Sequence, residues 1–104
     1  MAQNFKRVSA SSIGTAATTI YTATSSVILI GCNISNLTNF DLPISIWITN
    51  STDTYLLKNY RLKGNDSKEV VQGKIVLESG DIVKAISSLA NSIDVRLAML
   101  TGVA

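Results

Sequence analysis

The side chains best suited to acid–base or nucleophilic chemistry in this sequence are seven carboxylates and a single thiol, with no histidine beside them. Histidine is the commonest general base and metal ligand near neutral pH, so its absence removes most catalytic arrangements. The carboxylates, Asp41, Asp53, Asp66, Glu69, Glu78, Asp81 and Asp94, are scattered along the chain. Most fall in turn-forming contexts, where an Asp side chain bonds its own backbone. Glu78 and Asp81 flank Ser79-Gly80 and can face each other. A glycosidase needs two carboxylates across a cleft, one with a raised pKa, whereas a tight hairpin explains this spacing without catalysis. No nucleophile or base motif accompanies them.

Cys32 sits in the middle of the most apolar segment, where alternation places Ile28, Ile30, Cys32 and Ile34 on one face. It reads as a buried thiol packing as a small hydrophobe. One cysteine cannot close an internal disulfide or build a thiolate metal cage. No catalytic residue, metal ligand or cofactor site is therefore expected, and the chain is not read as an enzyme. Four Asn-x-Ser/Thr triplets begin at Asn33, Asn36, Asn50 and Asn65. No apolar stretch of a secretion signal follows Lys6 and Arg7, so they are read as turn residues and not as glycan acceptors.

Strands must position whatever the chain does present. The 104 residues are 46% hydrophobic and only 15% charged, which is enough for a core and too apolar for disorder. There is no run of apolar residues long enough to span a membrane. The β-branched run Ser26 to Ser35 and the alternating Leu42 to Thr49 read as strands, the latter with Ile44, Ile46 and Ile48 on one face. So do Ala17 to Thr22, Thr54 to Leu62, and the short pieces Glu69 to Gln72 and Lys74 to Glu78, broken at Gly73. Ile82 to Ser87 reads as a strand in preference to a short helix over Val83 to Leu89. In the last strand, Ser92 to Leu100, Ile93, Val95, Leu97 and Met99 point inward and Asp94 and Arg96 outward. Turn residues separate these runs at the spacing of a sandwich. Met1 to Thr15 is either an edge strand followed by a loop or an arm that orders on a neighbour. The expected fold is all-β: a single-domain antiparallel β-sandwich over 1–104, jelly-roll-like, of seven to nine short strands.

Low charge and outward apolar residues point to association. Alternation turns Trp47 away from the Ile44/Ile46/Ile48 face, and an exposed indole needs cover. Ala98 and Leu100 lie on the Asp94/Arg96 face. Trp47, Leu100, Phe5 and Arg7 are thus the expected interface residues of a homo-oligomer or docked subunit. Lys58, Arg61, Lys63, Lys68 and Lys74 concentrate in the central third. They read as edge-strand lysines that block aggregation, without the interleaved aromatics of a nucleic-acid binder.

The opening NFKRV, the segment GTAATTIYTATSSVILIGCNISNLT and the later KNYRLKGNDSKEVVQGKIVLESGDIVKA resemble small virion structural proteins of tailed bacteriophages, of the decoration or tail-accessory type. These are β-turn motifs, and they cover most of the chain. The family pattern has Pro where this chain has Thr24 and Ser79, a difference in turn rigidity. The resemblance implies a virion component made in the host cytoplasm, without enzyme activity, cofactor or membrane association. Its partners would be other virion proteins, a major capsid protein or tail proteins, and not nucleic acid. A capsid decoration or cement protein is the first expectation. A tail, neck or baseplate adaptor is the second, and a host-surface or carbohydrate-binding module the third.

Overall fold

The structure, a computed structural model, describes residues 4–71 and 73–101. They form nine strands: β1 (Asn4–Ile13), β2 (Thr18–Thr22), β3 (Val27–Asn36), β4 (Leu42–Asn50), β5 (Thr52–Leu62), β6 (Ser67–Glu69), β7 (Ile75–Leu77), β8 (Ile82–Ser87) and β9 (Ile93–Thr101). Of the expected Met1-to-Thr15 segment, residues 1–3 lie outside the described residues, and Asn4–Ile13 runs antiparallel to β9 along one sheet edge. Of the expected strand Glu69 to Gln72, only Glu69 is in a strand, and Gln72 lies outside the described residues.

Two antiparallel sheets stack face to face. Sheet A has the order β1-β9-β3-β6, with β7 also paired to β3; sheet B has the order β2-β8-β4-β5. β6 and β7 are two halves of one strand position beside β3, so nine segments fill eight positions. This alternation of the chain between two four-position sheets is a jelly roll.

Period-two patterning fixes which side of each strand is buried. On β9, Ile93, Val95, Leu97 and Met99 are buried; on β8, Val83 and Ala85; on β4, Ile44 and Ile46, with Ile48 half-buried against the same core. Each fully buried Ile or Leu contributes about 1.5–3 kcal/mol by leaving water.

One strand departs from simple alternation. β3 buries Val27 and Leu29, then Cys32 and Ile34, while Ile28 is half-buried and Ile30 exposed. The expectation that Ile28 and Ile30 share the face of Cys32 is therefore corrected. The cause is a register shift between Leu29 and Gly31 against β9. The extra residue inverts the side-chain parity, as a bulge does. Asn33 is likewise inside β3, and Asn36 and Asn50 are the last residues of β3 and β4, so of the four triplet asparagines only Asn65 lies in a turn.

The β1–β2, β3–β4, β5–β6 and β8–β9 loops gather at one end. Asn36 ties them. It is 3% exposed, and its Nδ2 donates to the carbonyls of Phe40 (2.7 Å) and Leu62 (3.1 Å). Its Oδ1 accepts from the Thr38 N–H (2.9 Å) and Thr38 Oγ1 (2.8 Å), which uses its full bonding capacity. Gly64 packs so closely on the β3–β4 loop that a Cβ would stand 2.5 Å from the Asn39 carbonyl carbon. Only glycine fits there. Asn36→Ala should lower the free energy of unfolding by about 1–3 kcal/mol, because the Leu62 carbonyl loses its partner in a buried setting. Urea denaturation checks this, and an unchanged midpoint would contradict the tie.

Candidate interaction surface

The groups that looked most reactive are committed to structure. Cys32 is fully buried, and burial pushes its thiol up to about 12, with the Glu69 carboxylate adding to the rise. It stays protonated at neutral pH and is not a nucleophile. Five carboxylates hold backbone amides. Asp41 accepts from Gly64 N–H (3.1 Å), Asp66 from Ser67 N–H (2.8 Å) and Asp94 from Ser12 N–H (2.9 Å). Asp81 accepts from Glu78 N–H (2.9 Å) and from Asn50 Nδ2 (3.0 Å), so the Glu78/Asp81 spacing is a turn clamp. Glu69 Oε2 accepts from the N–H groups of Cys32 (2.6 Å) and Val71 (3.3 Å). Among the described residues, no three His, Cys, Asp or Glu side chains cluster to hold a metal.

Trp47 does point to the outer face of sheet B, outside the core cluster. It is nonetheless buried, at 9% exposure, so the expected exposed indole is corrected. Tyr55, its partner on β5, lies against it with ring centroids 5.5 Å apart. Lys84 flanks it on β8, and Lys58 stands 5.1 Å over the Tyr55 ring. Alternation predicted the direction of the side chain correctly. It could not show that cross-strand neighbours would close over it. Lys68 also stacks on a ring, 5.0 Å over Tyr60. The basic stretch is thus interleaved with aromatics, contrary to the sequence expectation, and these rings carry lysine ammonium groups on a face.

The other three expected contact residues come together on the outer face of sheet A. Phe5 on β1 pairs with Leu100 on β9, Leu100 with Ile28 on β3, and Ile28 with Val76 on β7. This makes one apolar row across all four strand positions. Phe5 is 80% exposed and Val76 64%. The next row holds Arg7, Ala98 and Gly31, with the bulged Ile30, 39% exposed, beside it. A polar region follows: Ser9, Arg96, Asn33 and Glu69 in one row, Asp94, Ser35 and Ser67 in another. Where β1 bulges away from β9 between Ala10 and Ile13, an open groove of about 410 Å³ forms. Serines, Asn33, Asp94 and Arg96 line it, and no aromatic ring does. Sequence reasoning missed Val76 and Ile30. Val76 lies in a segment too short to show a period, and Ile30 is exposed only because of the bulge.

No protein-family model matches the chain, and no curated protein does. Among solved structures, the chain shares its fold with VP2 of infectious bursal disease virus in a subviral particle, at a TM-score of 0.59 and 12% identity. It also matches the structure of the Gx strain of that virus, at a TM-score of 0.58 and 14% identity. In both, the match covers 94% of this chain and 32% of the other, so the chain spans about a third of their length. The chain therefore has a fold found within a viral capsid protein. At such identity the likeness is one of fold alone.

Two outcomes follow for the buried groups. Trp47→Ala should cost about 3 kcal/mol of stability, and the native indole should resist iodide quenching until the chain unfolds. A thermal midpoint equal to the parent's would mean that Trp47 packs on nothing. Cys32 should react with iodoacetamide only through unfolding. The Cys32 pKa is raised from 9.0 to about 12 in the fold, so this group's contribution to stability is complete below pH 9 and lost as the pH climbs through about 12. Labelling in native buffer at the rate of a free thiol would contradict the burial.

Proposed function

We propose that this protein is a non-enzymatic structural component of a virus particle, a decoration or cement protein that docks on or between capsid subunits of a tailed bacteriophage. The observation that carries this reading is the jelly roll, aligned over 94% of the chain with VP2, a viral capsid protein. The similarity of its NFKRV, GTAATTIYTATSS and GKIVLESGD segments to tailed-phage virion proteins supplies the type of particle. The open apolar row on sheet A supports docking, because contiguous exposed apolar surface marks interaction sites. Its partners would be other virion proteins, and its place the virion after synthesis in the host cytoplasm.

A tail, neck or baseplate adaptor is the neighbouring reading. A sugar-binding module draws less support, because the polar groove lacks the aromatic platform such sites use. Quantitative mass spectrometry of purified particles separates the three. A decoration protein is present in proportion to the shell protein, and an adaptor in the low numbers of a tail ring. A chain missing from purified particles would overturn the virion reading.

A further inference from the structure

We infer that the outer face of sheet A is a self-complementary interface, on which a second copy of this chain packs face to face about a two-fold axis parallel to the strands. The inference rests on the reading of that face as an interaction surface and names its occupant. Such an axis, placed between β9 and β3, exchanges β9 with β3 and β1 with the β6/β7 position while keeping every row at its own height. The rows of this face match their own reflections under that exchange.

In the apolar row, Phe5 meets the partner's Val76 and Leu100 meets the partner's Ile28. One row up, Ala98 meets the partner's Gly31, two small residues that let the sheets approach. Arg7, at the β1 end of this row, meets the β6/β7 position of the partner. No strand residue fills that position, because β6 ends at Glu69 and β7 starts at Ile75. The Glu69 carboxylate lies there instead: a Cβ on Gly31 would stand 3.8 and 3.9 Å from its two oxygens. An exposed guanidinium and a carboxylate therefore face each other, twice per dimer. Above them Arg96 meets the partner's Asn33, and Asp94 the partner's Ser35.

The area is also sufficient. Four strand positions by the nine residues of β9 present about 600 Å² per copy, so a pair buries on the order of 1,200 Å², the lower bound of a stable specific interface. A two-fold closes the assembly and leaves no open end. Sheet B offers no equivalent face, since Tyr55 and the lysines already cover Trp47.

Cysteine cross-linking of the full chain tests the geometry. Within one copy, residues 5 and 76 stand three strand spacings apart, about 14 Å, with parallel side chains, too far for a short bis-maleimide to bridge. Across the axis their Cα atoms stand one sheet spacing apart, about 10 Å, too far for a disulfide, but the side chains point at each other and a short bis-maleimide reaches. Treated with that reagent, the Phe5→Cys/Val76→Cys variant should give a closed covalent dimer, and an equimolar mixture of the two single variants a cross-linked heterodimer. Either single variant alone should stay uncross-linked; Cys32 is buried and does not compete. Both positions are exposed, so both variants should fold. By sedimentation equilibrium, Phe5→Asp should weaken dimerisation on the order of tenfold or more, and Arg7→Glu should weaken it too. Three results would overturn the proposal. The first is a ladder of trimers and longer chains, which marks head-to-tail contact. The second is cross-linking of Phe5→Cys alone, which marks β1-to-β1 contact. The third is a parent chain that stays monomeric at high concentration. If that monomer still binds particles and Phe5→Asp abolishes the binding, the face remains an interaction surface with a different occupant.

Discussion

The backbone N–H of Cys32 is buried at the point where the strand beside β3 breaks, and the carboxylate of Glu69 accepts it at 2.6 Å. An orphaned amide there would cost about 1–3 kcal/mol. With the side chain supplying the acceptor, the eighth strand position can be split into β6 and β7. The gap is bridged by Val70 N–H to the Cys32 carbonyl, by Glu69 to Cys32 N–H, and by Glu69 to Val71 N–H. The bulge at Ile30 and Gly31 lies in the same place, so β3 changes parity where its neighbour is interrupted. Leu29 and Cys32 both remain in the core because of it, and Ile28 and Ile30 are turned out. One carboxylate therefore satisfies the amides that the break beside β3 leaves without a strand partner.

The two sheets treat their outer faces differently. Sheet B closes its own: Tyr55 covers Trp47, and Lys58 covers Tyr55. Sheet A leaves a row from Phe5 to Val76 uncovered and places its polar groups at the far end. An isolated copy would hold that row in water, with Phe5 80% and Val76 64% exposed. The asymmetry leaves one sheet with a covered outer face and the other with an exposed apolar row.

Much of this was legible in the sequence because period-two patterns survive in β4 and β9, where Ile44, Ile46, Val95 and Leu97 fall inward as counted. The turn residues separated the strands for the same reason: Asn65 and Gly80 occupy positive φ, where few other residues rest without strain. Ile28 and Ile30 were misjudged because a bulge leaves no trace in the hydropathy pattern. Trp47 was misjudged because its cover comes from Tyr55, which reaches it through a hairpin register that two further shifts in β4–β5 pairing make irregular. For the candidate surface, Phe5, Arg7 and Leu100 could each be named singly. Their adjacency could not, because it joins the first strand to the ninth, and only the topology brings them to one row.

That joining has a kinetic consequence. β9 lies between β1 and β3 in sheet A, yet it follows β1 by most of the chain, with Thr101 Oγ1 reaching the Asn4 carbonyl across 97 residues. During synthesis β1 and β3 emerge long before the strand that separates them, and each exposes unpaired backbone edges until it arrives. Loop closure over such a span is slow, and nascent chains of this topology are exposed to wrong pairing with one another. Lys6 and Arg7, side by side on the waiting β1, put two like charges on that strand. Like charges so placed disfavour pairing with the same strand of a neighbouring nascent chain, as gatekeeper residues do.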